Sequence, residues 1–233
     1  MSWVVVPAAG SGARFGAVLP KQYQQLAGRP LIAHTLTRLL AHPAIEGAMV
    51  ALAPDDADWS TLALRFDKPL LTCAGGADRA DSVLAALRAL PDTVADAALV
   101  LVHDAARPCI RHGDLDRLIE AAQNDPVGAL LASPLRDTLK RADAHSRVLA
   151  TESRERLWRA QTPQAFRRGA LVRALEQARS DGVAITDESM AMERLGLQPL
   201  LVEGSEDNIK VTVAADLTLA ERILAAQSSG EST

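Results

Sequence analysis

Two cations stand within a run of glycines and small residues close to the start of the chain. Arg14 lies in Pro7-Ala8-Ala9-Gly10-Ser11-Gly12-Ala13-Arg14-Phe15-Gly16, and Lys21 follows in Pro20-Lys21-Gln22. Glycine and alanine let backbone N–H groups approach anionic oxygens closely, and the guanidinium and ammonium add full positive charge. That combination describes a cradle for a triphosphate. Spacing rules out two other phosphate loops. A dinucleotide fingerprint needs Gly or Ala where Phe15 stands, and a P-loop needs Gly-Lys-Ser/Thr where the chain reads Pro20-Lys21-Gln22. On the loop alone, a flexible turn with solvated charges stays open as the plainer reading.

Other residues with chemical potential lie further on. Gly75-Gly76 falls between an apolar run and a helical pattern, where backbone groups can face a ligand. Arg79 and Ser82 follow, with a plainer alternative as first-turn residues that satisfy free N–H groups or pair with Asp78. Asp104 closes an apolar run, the expected place for a ligand-facing carboxylate; His103 beside it reads as structural. Arg107 suits either a ligand or a carboxylate partner. Arg154 shares a charged run with Arg156 and Arg159 that reads as a solvated helix, whereas Lys210 sits inside an apolar run, unlike a free surface lysine. No Ser, Cys or His triad is visible. Cys73 and Cys109 are far apart and no CxxC pair exists, so neither a zinc site nor a redox dithiol is signalled, and both read as buried free thiols.

The elements that must position these residues alternate. Apolar runs predict strands over 3–6, 48–53, 69–73, 98–102, 128–132 and 198–202. Apolar spacing of three and four predicts helices over 30–40, 59–66, 78–90, 114–123, 170–179, 187–195 and 214–226. Strand and helix in alternation imply an α/β chain with a parallel sheet covered on both faces. The loops after Val6, Cys73, Val102 and Ala132 should converge beyond the carboxyl ends of the strands. From 134 to about 164 the rhythm breaks into a polar stretch that reads as an arm or lid. The segment 228–233 reads as a frayed polar tail.

Composition narrows the function classes. The chain has 233 residues, 48% of them hydrophobic, enough for one sizeable core. Its net charge is −4 and it has only three Trp, one Tyr and three Phe, which argues against a nucleic-acid partner. The N-terminal apolar run lacks a basic flank and is too short to span a bilayer, so no membrane association is expected and the cytoplasm is the expected compartment.

Leu101-Val102-His103-Asp104-Ala105-Ala106-Arg107-Pro108 resembles the signature of the 2-C-methyl-D-erythritol 4-phosphate cytidylyltransferases of the non-mevalonate isoprenoid pathway. Pro20-Lys21-Gln22-Tyr23, the segment from Gly75 to Val83, Arg136-Asp137-Thr138, Thr162-Pro163-Gln164, Ile185-Thr186-Asp187-Glu188 and the segment from Asp207 to Thr212 are similar to the rest of that pattern, in the same order. The match covers about 3–222. Ala77 stands where the family often has an acidic residue, and Phe15 where methionine is usual.

The resemblance implies a Rossmann-like nucleotidyltransferase sheet, mostly parallel, with helices on both faces and a protruding arm. It implies a single domain over 1–227 whose stretch 134–164 is a dimerisation arm. It implies cytidylyl transfer from CTP to 2-C-methyl-D-erythritol 4-phosphate with Mg2+, in a homodimer. Arg14, Lys21, Arg154 and Lys210 take the catalytic positions. Ala8, Ala9, Gly10, Gly12, Gly76, Arg79, Ser82, Asp104 and Ala105 map to the CTP site. Asp104, Arg107, Thr138, Arg154, Thr186 and Lys210 map to the acceptor site, and Asp104 also to a weak metal contact. A sugar-1-phosphate nucleotidyltransferase is the rival within the class, since it shares the first loop. A nucleotide-sensing scaffold without turnover is the rival outside it, and the joint presence of Arg14, Lys21, Arg154 and Lys210 argues against that.

Overall fold

The structure, a computed structural model, describes residues 1–10 and 19–230. The first strand, β1 (Ser2–Pro7), is a run of β-branched residues buried on both faces. A small antiparallel pair, β2 (Gln25–Leu26) and β3 (Arg29–Pro30), leads into α1 (Leu31–Leu40). There follow β4 (Ile45–Leu52), β5 (Leu70–Ala74), α2 (Arg79–Ala89), β6 (Leu99–Val102), α3 (His112–Asn124) and β7 (Gly128–Pro134). A hairpin of β8 (Leu139–Ala142) and β9 (Val148–Glu152) precedes β10 (Trp158–Arg167). The chain then forms α4 (Arg168–Ser180), α5 (Glu188–Arg194), β11 (Leu200–Glu203) and α6 (Ala214–Gly230).

Seven strands make the main sheet, in the order β11-β7-β10-β6-β1-β4-β5. All neighbours run parallel except β10, which is antiparallel to both β6 and β7. Side chains alternate across β1. Val4 and Val6 enter the core shared with α1 and α3, whereas Trp3 and Val5 enter the core shared with α2, α4 and α5. This two-sided burial is why the central stretches Val4–Val6 and Leu99–Val102 are apolar throughout. A third cluster, with Leu26, Leu31, Cys109, Val211, Ala220 and Leu224, fastens α6 against the loop after β6. Among the described residues no helix is long and apolar enough to cross a membrane.

Two expected elements change. The helix over 59–66 is a single 3-10 turn, Trp59–Leu62, ended by Ala63 at φ 46°. Leu62, Leu64 and Phe66 recur every second residue, so the chain packs them against the core in irregular conformation. The expected excursion over 134–164 is shorter than its polarity suggested, because it ends in β10. Pro163 and the buried polar trio Gln161, Thr162 and Gln164 disguise that strand, and its register with β7 shifts between Ala160 and Gln164. The tail also differs: α6 continues through Gly230, with Gln227 buried and donating to the Cys109 carbonyl at 2.9 Å.

Candidate active site

The sheet order reverses at β1: the chain moves outward through β4 to β5, then returns to β6 on the other side. Ligands collect at the carboxyl ends of strands at such a point. A cavity of about 370 Å³ lies there. Its walls come from the segments after β1 (Ala8, Ala9, Gly10), after β5 (Gly76 to Arg79, with Ser82) and after β6 (Asp104 to Ala106), together with Lys21, Gln22, Lys210 and Thr212. Three of the four predicted loops therefore converge. The one after β7 turns away into the hairpin.

Each wall is fixed by its backbone. The Ala8 amide donates to Ala51 O, and Ala8 O accepts from Gln22 Nε2 at 2.8 Å, which ties the Lys21–Tyr23 turn to the end of β1. Tyr23 anchors the same turn from below, its buried hydroxyl donating to Asp56 at 2.6 Å. Gly75 and Gly76 sit where a side chain cannot: a Cβ on Gly76 would lie 2.3 Å from Asp81 Cβ, and one on Gly75 2.6 Å from Ala9 Cβ. Ser82 Oγ accepts the Gly76 N–H at 3.1 Å and donates to Asp78 O at 2.8 Å. Asp78 caps α2 by accepting from Asp81 N. Arg79 thus does not pair with Asp78.

Asp104 is the electrostatic centre. Its Oδ1 accepts from Arg79 Nε at 3.0 Å and its Oδ2 from Lys210 Nζ at 2.8 Å, with Arg107 Nε at 3.7 Å. Burial would push the carboxyl up, but these three cations hold it well below the usual carboxylate range. Arg79 in turn is gripped by Glu188 through two hydrogen bonds of 2.6 and 3.1 Å. Arg107 donates to Asn208 O at 2.5 Å and does not line the cavity. Of its two open readings, carboxylate partner is the one the geometry supports. Lys21 lies near Asp216; that carboxylate, despite burial, is lowered by the Thr212 and Val213 amides and also by Lys21.

His103 stands behind this centre. The Asp104 amide donates to Thr162 Oγ at 3.0 Å, and His103 Nδ1 lies 3.1 Å from the same hydroxyl. His103 Nε2 faces the Arg107 carbonyl at 3.0 Å, so Nε2 carries the proton and Nδ1 accepts from Thr162. The imidazole is completely buried, and burial first of all lowers its pKa to about 4. Between the ordinary value of 6.5 and about 4 the unfolded chain binds a proton that the folded chain refuses. Stability should therefore fall as pH drops through that window, by about 1.4 kcal/mol per pH unit from this group. His34 and His42, lowered chiefly by burial, add with the same sign. Asp104 adds its own loss only at pH below the ordinary Asp range. Buried Glu188, raised chiefly by burial, acts with the opposite sign, so urea midpoints at pH 7.5 and 5.0 are compared between wild type and H103N; the same pH dependence in both would exclude a buried neutral His103.

Of the sequence-predicted residues, the fold brings Ala8, Ala9, Gly10, Lys21, Gly76, Arg79, Ser82, Asp104, Ala105 and Lys210 to one cavity. Gly12 and Arg14 lie outside the described residues. Thr138, Arg154 and Thr186 are exposed and do not line this cavity. Thr138 directly precedes β8, Arg154 follows β9 and donates to Arg136 O, and Thr186 precedes α5. Arg154 belongs to a hairpin end, not to the solvated helix its charged neighbours suggested. Sequence reasoning gave no role to Glu188, Thr162, Asn208 or Gln22, although each stands in a quoted motif.

The family model for 2-C-methyl-D-erythritol 4-phosphate cytidylyltransferase matches residues 2–226. A protein of that description from Stenotrophomonas maltophilia (strain R551-3) is 63% identical over 222 residues, covering 95% of this chain and 96% of the relative. A crystal structure of 4-diphosphocytidyl-2C-methyl-D-erythritol synthase superposes with a TM-score of 0.83 at 36% identity, covering 96% of this chain and 98% of the other. The 2-C-methyl-D-erythritol 4-phosphate cytidylyltransferase of Francisella tularensis gives a TM-score of 0.82 at 33% identity, covering 95% and 99%. Fold and sequence agree along nearly the whole chain, which belongs to the 2-C-methyl-D-erythritol 4-phosphate cytidylyltransferase family.

Proposed function

We propose that this chain transfers the cytidylyl group of CTP to the phosphate of 2-C-methyl-D-erythritol 4-phosphate, giving 4-diphosphocytidyl-2-C-methyl-D-erythritol and pyrophosphate. The carrying observation is the cavity at β1 and β6, which sets small-residue backbone and Lys21 on one side and Arg79 and Lys210 around Asp104 on the other. An oxygen of the acceptor phosphate attacks the α-phosphorus of CTP. A P–O bond forms there, the bond to the β-phosphate bridge oxygen breaks, and its electron pair leaves with pyrophosphate. The nucleophile is already an anion, so positioning and charge stabilisation carry the step.

Lys21, with Arg14, is assigned to the α-phosphate and the charge that develops on it. Backbone groups of Ala8, Ala9 and Gly76 read the cytosine edge, with Gly10 and Gly12 approaching the phosphates. Ser82 acts there by fixing Gly76. Asp104 and Ala105 face the ribose. Lys210 faces the acceptor phosphate, and Arg107 acts from behind Asp104.

Magnesium suits this donor set as an ion carried mainly by phosphate oxygens and water. Among the described residues no three metal-ligating side chains cluster, and Asp104, whose oxygens hold Arg79 and Lys210, would reach the ion only by sharing one of them. When bound, the ion neutralises phosphate charge.

The acceptor site is completed, on this reading, by a second copy of the chain. The β8–β9 hairpin forms its own two-stranded sheet, and such pairs alone are marginal in water. Val148 and Leu149 on it are 63% and 64% exposed, and Leu157 and Trp158 after it are exposed as well. A homodimer that buries these apolar side chains would carry Arg154 to the partner's acceptor phosphate, with Thr138 and Thr186 as hydroxyl contacts. The free cysteines Cys73 and Cys109 suit a cytoplasmic setting.

Purified protein with magnesium should release pyrophosphate from CTP only when 2-C-methyl-D-erythritol 4-phosphate is present, and UTP, ATP and GTP should be much poorer donors. Equal turnover with UTP would sink the cytosine assignment. Turnover with a sugar 1-phosphate in place of this acceptor would move the chain to the rival substrate class.

A further inference from the structure

Arg79 spends all three of its nitrogens on two carboxylates. Nη1 and Nη2 donate to Glu188 at 2.6 and 3.1 Å, and Nε donates to Asp104 Oδ1 at 3.0 Å. The Glu188 side chain is 1% exposed and reaches the cavity only through Arg79, which lines it. Asp104 Oδ2 is thereby left to Lys210 at 2.8 Å. A guanidinium prefers to engage one carboxylate on two parallel N–H groups. Released from Glu188, Arg79 could offer Nε and an Nη to both oxygens of Asp104, and Lys210 would lose its partner.

We propose that Glu188 is a positioning residue: by occupying the Nη edge of Arg79 it confines Arg79 to one oxygen of Asp104 and reserves the other for Lys210. The pair spans 109 residues of sequence, from the start of α2 to the start of α5, so the docking of α5 sets the geometry around Asp104. A residue that only neutralised a buried arginine would affect stability without changing which group Asp104 holds. The catalytic consequence rests on the function proposed above; the effect on Lys210 does not.

The first experiment uses no substrate. Wild-type and E188Q proteins are treated briefly with an amine-acylating reagent, and Lys210 modification is read by peptide mass spectrometry against Lys68 and Lys140 as internal references. Loss of the carboxylate partner should raise Lys210 labelling at least about threefold. The double variant R79M/E188Q removes the competitor along with its restraint, avoids an unpaired buried charge, and should return Lys210 to the wild-type rate. Unchanged labelling in E188Q, or raised labelling in the double variant, overturns the proposal. If E188Q does not fold, E188D, whose shorter carboxylate loosens the same bond to Arg79, takes its place, and unchanged Lys210 labelling there overturns the proposal. In the second experiment, E188Q should lose about tenfold or more in kcat/KM for the acceptor while KM for CTP moves less than about threefold. A drop in Tm with both kinetic constants intact overturns the proposal as well. If the wild type itself gives no turnover, the functional reading fails and the labelling result stands alone.

Discussion

Lys21→Ala should lower kcat about a hundredfold or more while KM for CTP changes little. The expectation rests on how firmly the position is built. Lys21 opens a 3-10 turn whose next residue, Gln22, is bonded to the Ala8 carbonyl, and whose third, Tyr23, is buried and bonded to Asp56. The backbone that presents the ammonium is therefore set before any nucleotide arrives. A fixed cation aimed at charge that grows only as the α-phosphorus is attacked stabilises the transition state more than the bound substrate. Removing it should act on kcat and on kcat/KM together. The measurement is a steady-state titration of CTP at saturating acceptor, with Tm as a control for folding. A raised KM with kcat intact would reduce Lys21 to a binding residue.

Arg154→Ala and Lys210→Ala should each be nearly inactive, yet activity should reappear when the two proteins exchange subunits. Lys210 lines its own chain's cavity and touches Asp104, whereas Arg154 is exposed beyond β9 and does not line that cavity. If Arg154 serves the partner's site, one site of a heterodimer draws Lys210 from one chain and Arg154 from the other, and is intact. The other site lacks both. A two-fold dimer should then recover about half of the wild-type activity. Heterodimers are verified by native mass spectrometry before the assay. Verified heterodimers that stay inactive would place Arg154 in its own chain's site or outside catalysis.

Most of the sheet was legible because parallel strands buried on both faces must be apolar throughout, as Val4 to Val6 and Leu99 to Val102 are. The strand β10 escaped because its middle carries Gln161, Thr162, Pro163 and Gln164. Its three polar side chains are acceptable inside because the Asp104 and Ser189 amides and the side chains of Asn208 and Asp187 meet them. The phosphate loop and Asp104 could be read from local rules of glycine, charge and strand ends. Glu188 could not. Its importance lies in a bond to Arg79, far away in sequence, and a lone glutamate in a short helix looks like solvated surface until that partner is known. Glu188 and Thr162 stand within motifs that carry the resemblance, but the resemblance gave neither a role.

The antiparallel strand β10 also fixes the order in which the sheet can be assembled during synthesis. Strand β6 pairs with β1 on one side and with β10 on the other, and both pairing partners of β7, β10 and β11, come later in the chain. A nascent chain that has emerged only as far as β9 can join β1, β4, β5 and β6, but β7 has nothing to bond with and β6 keeps one bare edge. Open edges of this kind recruit strands from other molecules. The fold thus holds its aggregation-prone interval between the emergence of β6 and that of β10, and a single late strand closes two edges at once.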